Sequence, residues 1–154
     1  MSLRTRIQSD TVQALKRGER TRVSTLRLLS AALKNREIAL GRPLDEVEEL
    51  EVVRTAIKQR RETIRLAREH GREEIAQQEE RELAILEAYL PEPLTTAELI
   101  HQIDTVIREL GVSSPRDLGR VMKVLMPTLK GRVEGSEVSR LVRERLSTSK
   151  GGIA

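Results

Sequence analysis

The 154-residue sequence contains no cysteine, tryptophan or phenylalanine, and tyrosine occurs once. Without cysteine there are no disulfides, thiolate nucleophiles or cysteine zinc sites, a composition suited to a reducing compartment. With a single aromatic residue there is no platform on which single-stranded bases stack, and strands lack their usual Tyr, Phe and Trp. The two histidines, His70 and His101, do not pair at helical spacing with a second His and a carboxylate, so neither a metal nor a cofactor is expected. No run approaches the roughly 20 apolar residues that span a bilayer, and no apolar stretch of signal-peptide length opens the chain. A cytoplasmic protein without membrane association is expected. A glycine-rich phosphate loop, a nucleophile elbow and a Ser/His/Asp set are missing too. Carboxylate pairs such as Glu79 with Glu82 are ordinary on solvated helix faces, so no residue is assigned to catalysis and the protein is read as non-enzymatic.

What is present favours an all-α fold. Charged residues make up 34% and hydrophobic ones 38%, dominated by Leu, Ala, Glu and Arg, whose side chains keep their rotamer freedom in a helix. Helical stripes run through Leu3, Ile7, Val12 and Leu15, then through Val23, Leu26, Leu29, Ala32 and Leu33 up to the stop at Gly41-Arg42-Pro43. Asp45 with Glu48 opens a third helix carrying Val53, Ala56, Ile57, Ile64 and Ala67, and Gly71 breaks it. Ile75, Leu83, Leu86 and Leu90 mark a fourth, ended by Pro91-Glu92-Pro93, the clearest boundary in the chain. Thr95 with Glu98 caps a fifth helix, Ser114-Pro115 opens a sixth, and a seventh follows Gly135-Ser136. The expected organisation is a four-helix domain over 1–92, a three-helix domain over 93–148, and a frayed tail over 149–154.

Two basic patterns stand out from the net charge of +4. On the sixth helix Leu118, Val121, Met122, Leu125 and Leu129 fall on one side, and Arg116, Arg120, Lys123 and Lys130 on the other, with no interleaved acid. Such a face suits a polyanion, although solvation alone would also explain it. Pro127 should kink or end this helix and leave Lys130-Gly131-Arg132 in a loop bracketed by Gly131 and Gly135. Glycines there allow close backbone approach, or simply a turn. Gly119, beside Arg120, weakens the helix unless a neighbouring helix or a ligand backbone packs on it. The second pattern, Arg54, Lys58, Arg61, Arg65, Arg68 and Arg72, faces a glutamate-rich fourth helix, so ion pairing explains it better than a partner does. Tyr89 reads as a packing residue with its hydroxyl at the surface.

Gly71-Arg72-Glu73-Glu74-Ile75, Glu79, Glu82, Ile85-Leu86 and Tyr89-Leu90-Pro91 resemble the end of the N-terminal domain in the YqeY family. Asp117 through Lys123, Met126-Pro127, Lys130-Gly131-Arg132 and Gly135 resemble the signature of its C-terminal domain. The resemblance covers essentially the whole chain and implies four helices followed by three. It also implies kinship with the tRNA-holding tail of the GatB subunit of glutamine-dependent tRNA amidotransferase, an enzyme whose chemistry resides elsewhere. A carbon–nitrogen ligase label would thus be inherited rather than performed. Val133-Glu134 departs from the family's usual small residue and Asp at that place.

The expected function is therefore a non-catalytic accessory protein that grips tRNA through its phosphates. Arg120, Lys123, Lys130 and Arg132 supply charge, and Gly119, Gly131 and Gly135 allow close approach. The alternative is an adaptor docking an aminoacyl-tRNA synthetase, an amidotransferase or a ribosome-associated factor. DNA is not an expected partner, since Ser136 to Ser139 offers little to read bases.

Overall fold

A computed structural model describes residues 2–151, which form seven α-helices, one short 3₁₀ helix and no strand. The chain makes two compact units, Met1–Leu90 and Pro91–Ala154, parting two residues before the expected boundary.

Unit 1 holds α1 (Leu3–Lys16), α2 (Arg20–Leu40), α3 (Glu46–Glu69) and α4 (Glu73–Glu87). Its starts and stops follow the local chemistry. The Ser2 hydroxyl accepts from the Thr5 backbone N–H, and the Asp45 carboxylate accepts from Glu48 N–H at 2.8 Å. Gly18, Gly41 and Gly71 take left-handed φ at the three turns. Ile7, Leu26, Leu29, Leu33, Val53, Ile57, Leu86 and Tyr89 form the main core, while Ile64, Ala67 and Ala76 make a small second cluster.

Three expected inward residues face outward instead. On α1 the buried line is Ile7–Ala14, flanked by half-buried Leu3 and Asp10; Val12 and Leu15 sit on a separate strip and are exposed. On α4 the buried residues are Ala76 and Leu86, and Ile75, beside Ala76, is exposed. In both cases the true stripe includes a small residue that a reading weighted by side-chain size passes over. The Tyr89 hydroxyl is likewise not at the surface: it donates to Asp10 Oδ2 at 2.5 Å, and the Arg6 guanidinium lies 5.3 Å from the ring centroid. Burial, then the Asp10 hydrogen bond, raises the phenol's pKa well above its ordinary value.

Among the described residues, Glu49 is the one buried carboxylate of unit 1. Its Oε2 has no hydrogen-bond partner among the described residues. Burial raises its pKa, with Glu46 and Glu37 adding to the rise and Arg4 opposing it. The folded state therefore holds this proton longer than the unfolded chain does, and its contribution to stability falls as pH rises through the acid range. Glu49→Gln should leave stability nearly unchanged near pH ~4 and raise it near pH ~7. Urea unfolding at the two pH values checks this; a variant less stable than wild type at the higher pH would show that the Arg4 contacts outweigh burial.

Unit 2 holds α5 (Thr96–Leu110), a 3₁₀ turn (Pro115–Asp117), α6 (Leu118–Leu129) and α7 (Gly135–Gly151). Thr95 and Glu98 complete a reciprocal capping box, and Gly111 closes α5 with φ 65°. Leu99, Ile103, Val121, Leu125, Leu129, Val138, Val142 and Leu146 are the centre of its core. Arg145 clamps α7 to α5 through a forked pair with Asp104 at 2.7 and 2.8 Å. The expected tail at 149–154 is corrected in its first part, because α7 continues through Gly151; residues 152–154 lie outside the described residues.

Candidate nucleic-acid interface

The cationic face of unit 2 arises because α6, with the sequence LGRVMKVLMPTL, has apolar residues on one side and no acid anywhere. Val121, Leu125 and Leu129 are buried, which turns Gly119, Arg120 and Lys123 outward. Arg120 and Lys123 are three residues apart and hence neighbours on the helix surface. Among the described residues neither has an ion-pair partner. Arg116 lies just before them in the 3₁₀ turn and is also exposed.

Pro127 lies inside α6 and does not end it. The helix runs on to Leu129, and Lys130 forms the C-cap with φ 50°, the left-handed region that favours glycine. Gly131 follows with φ 71°, also left-handed, and is buried. Its left-handed backbone suits the turn that follows α6. Arg132 Nε donates to the Glu92 carbonyl at 2.8 Å, tying the loop to the segment that opens unit 2. Val133, the bulky departure from the family pattern, points into the unit 2 core. The loop is therefore anchored at three consecutive residues, with Lys130 and Glu134 exposed on either side of them.

Gly119 and Gly135 differ in the same way. A Cβ at Gly135 would meet Met126 Cε at 3.8 Å, an ordinary contact at the start of α7. A Cβ at Gly119 would meet nothing within 4 Å. Among the described residues nothing packs on Gly119, so the packing of unit 2 does not require a glycine there. Gly119→Ala should stabilise unit 2 by about 0.5–1 kcal/mol through helix propensity. Lys130→Gly should add about 1 kcal/mol by relieving the left-handed backbone. Thermal unfolding of both variants checks these gains, and a destabilised Gly119→Ala would point to an intramolecular need for the glycine.

The basic stripe of α3 has a different fate. Arg61 pairs with Glu87, Arg65 with Glu62 and Glu69, and Arg68 with Glu73 and Glu80. These exposed pairs are each worth only about 0–1 kcal/mol, but they occupy these three cations within unit 1. Sequence reading missed Arg60. It falls in the middle of the buried stripe Val53–Ile57–Ile64–Ala67, and its Nε lies 3.3 Å from Glu79 and 3.8 Å from Glu82. The signal was available: the apolar spacing 53, 57, 64, 67 skips position 60, where the next core residue belongs. His70 bonds the Leu66 carbonyl through Nδ1 at 2.9 Å, and His101 is exposed on α5. Among the described residues, no helix is long and apolar enough to cross a membrane.

Fold and site together define an all-helical protein of two compact units, the second presenting an acid-free cationic helix. The chain belongs to the YqeY-like protein family, whose model matches residues 4–146. It is also 31% identical over 107 residues to the mitochondrial protein "Altered inheritance of mitochondria protein 41" of Eremothecium gossypii. That match takes in 68% of this chain and 58% of the relative, so the chain spans little more than half of the relative's length.

Proposed function

We propose that this chain is a non-catalytic accessory protein whose C-terminal unit binds structured RNA, tRNA in particular, through backbone phosphates. The observation that carries the reading is the bare Gly119 beside Arg120 and Lys123. A helical glycine with nothing packed on it costs stability, and it leaves the backbone open beside two unpaired cations, where a phosphate can approach closely. Lys130 supports the same reading, since a residue held in left-handed backbone at a helix end would be glycine if only the fold mattered. Arg116 extends the cationic face toward the 3₁₀ turn. Arg132 keeps its charge, but its Nε bond to the Glu92 carbonyl ties the side chain back to the segment that opens unit 2. The resemblance of Asp117 through Lys123 to the amidotransferase tail supplies tRNA as the RNA class. In this reading Met1–Leu90 is a four-helix domain and Pro91–Ala154 a three-helix domain that carries the binding face.

The test is tRNA affinity of wild type against Lys123→Glu with Lys130→Glu at two salt concentrations. Binding that responds neither to the substitutions nor to salt ends the proposal.

A further inference from the structure

Unit 1 carries an apolar groove that RNA binding leaves unused. It runs beside the Gly18 turn between α1 and α2, has a volume of about 610 Å³, and is lined by Leu15, Val23, Leu28, Arg20, Ser24 and Arg27. Leu15 and Leu28 are each 58% exposed, and Val12, at 51%, extends the apolar strip along α1. Isolated exposed leucines are common, but two of them facing one concavity with a buried valine at its floor are a patch in search of cover.

The groove's charge narrows what covers it. No carboxylate lines it, and among the described residues Arg20 and Arg27 have no ion-pair partner. Glu19, the nearest acid in sequence, already pairs with Arg22 at 3.1 Å. The exposed face of α2 continues the pattern as Arg20, Ser24, Arg27, Leu28, Ala31, Lys34 and Ile38, cations and apolar residues without an acid. The occupant must therefore present apolar side chains flanked by negative charge. A nucleic-acid backbone supplies the charge but gains nothing from Leu15 and Leu28, and no aromatic is present to stack its bases. A membrane surface is too flat to fill a concavity between two helices. A third helix laid along the pair fills it by ridge-and-groove packing, with anchors at i and i+3 or i+4.

We propose that the α1–α2 groove docks an acidic amphipathic helix of a partner protein, with two apolar anchors between Leu15 and Leu28 and flanking carboxylates on Arg20 and Arg27. This is independent of RNA binding, since it uses the other compact unit.

The experiment selects a displayed library of helical peptides of about 14 residues, four turns, against the full-length protein. Expected clones combine two apolar residues at i and i+3 or i+4 with a surplus of Asp and Glu. Synthesised representatives should lose about tenfold or more in affinity on Leu28→Asp and on Arg27→Glu. They should bind normally to Leu66→Asp, which changes an exposed leucine on α3. Leu28 is a surface residue, so the variant keeps its fold, which circular dichroism melting checks; Leu15→Asp is the second variant should Leu28→Asp melt early. The proposal is overturned by an absence of enriched clones, by enrichment of basic peptides, or by affinity indifferent to Leu28→Asp. It is equally overturned if the substitution acts instead on self-association, on phosphatidylserine vesicles or on tRNA. An unchanged tRNA affinity in Leu28→Asp keeps the two functions separate.

Discussion

Raising monovalent salt from about 50 to 200 mM should weaken tRNA binding by about two orders of magnitude. The figure follows from about four phosphate contacts, those of Arg116, Arg120, Lys123 and Lys130, at roughly 0.9 released counterions each over a fourfold change in salt. Arg132 is left out because its Nε bond to the Glu92 carbonyl holds the side chain against the loop and away from the α6 face. Lys123→Glu with Lys130→Glu removes two contacts and introduces two repulsions. Affinity at low salt should drop by well over tenfold, and the slope of log affinity against log salt should fall by about two. Filter binding or fluorescence anisotropy with one tRNA across five salt concentrations reads both quantities. A double variant with an undiminished slope would place the phosphate contacts elsewhere on the molecule. Gly119→Ala separates charge from approach: it leaves every cation in place, so a loss of affinity with an unchanged slope is the signature of a backbone contact.

The second large effect is on stability. Arg60→Leu should destabilise unit 1 by about 2–3 kcal/mol, somewhat under the range for breaking a fully buried ion pair. The side chains of Arg60, Glu79 and Glu82 are 17%, 23% and 14% exposed, so the polar layer they form is mostly out of water. Removing the cation leaves two carboxylates facing each other with no counter-charge. Burial and then Glu82 already raise the Glu79 pKa, with Arg60 opposing them. Without Arg60 the rise grows, so the folded state holds its proton longer and the damage is smallest in acid and largest at neutral pH. Combining Arg60→Leu with Glu79→Gln and Glu82→Gln should restore most of the loss, because it removes the uncompensated charge rather than the attraction. Urea unfolding of the three proteins tests this; a triple variant as unstable as the single one would show that packing of the arginine stem, not charge, is what matters.

The helices were legible because their boundaries are written in local chemistry. Asp45, Thr95, Gly41 and Gly111 each cap the element that their type and spacing announce. The apolar faces of α5, α6 and α7 were legible for a related reason, since large aliphatic residues mark them without competition. Unit 1 was harder because small and charged residues occupy core positions there. Ala14 and Ala76 hold places that Val12, Leu15 and Ile75 claim by hydrophobicity, and Arg60 and Glu79 sit where aliphatic residues are normal. At the cationic site, Arg120 and Lys123 could be placed from helical periodicity alone. The roles of Gly131, Arg132 and Val133 could not, because each is set by a tertiary partner or by burial. The hydroxyl of Tyr89 is the same kind of case, its partner Asp10 lying 79 positions away.

The polar layer of Arg60, Glu79 and Glu82 interrupts the interior of unit 1 between the main core and the small cluster of Ile64, Ala67 and Ala76. On either side of it the facing surfaces of α3 and α4 are aliphatic and repeat with nearly the same spacing, so hydrophobic contact alone would tolerate sliding one helix along the other. A slip of two turns would carry Arg60 away from both glutamates and set it among side chains that cannot answer its charge. The layer thus acts as an alignment mark: it contributes little to how tightly the two helices adhere and a great deal to which of their possible pairings the chain adopts.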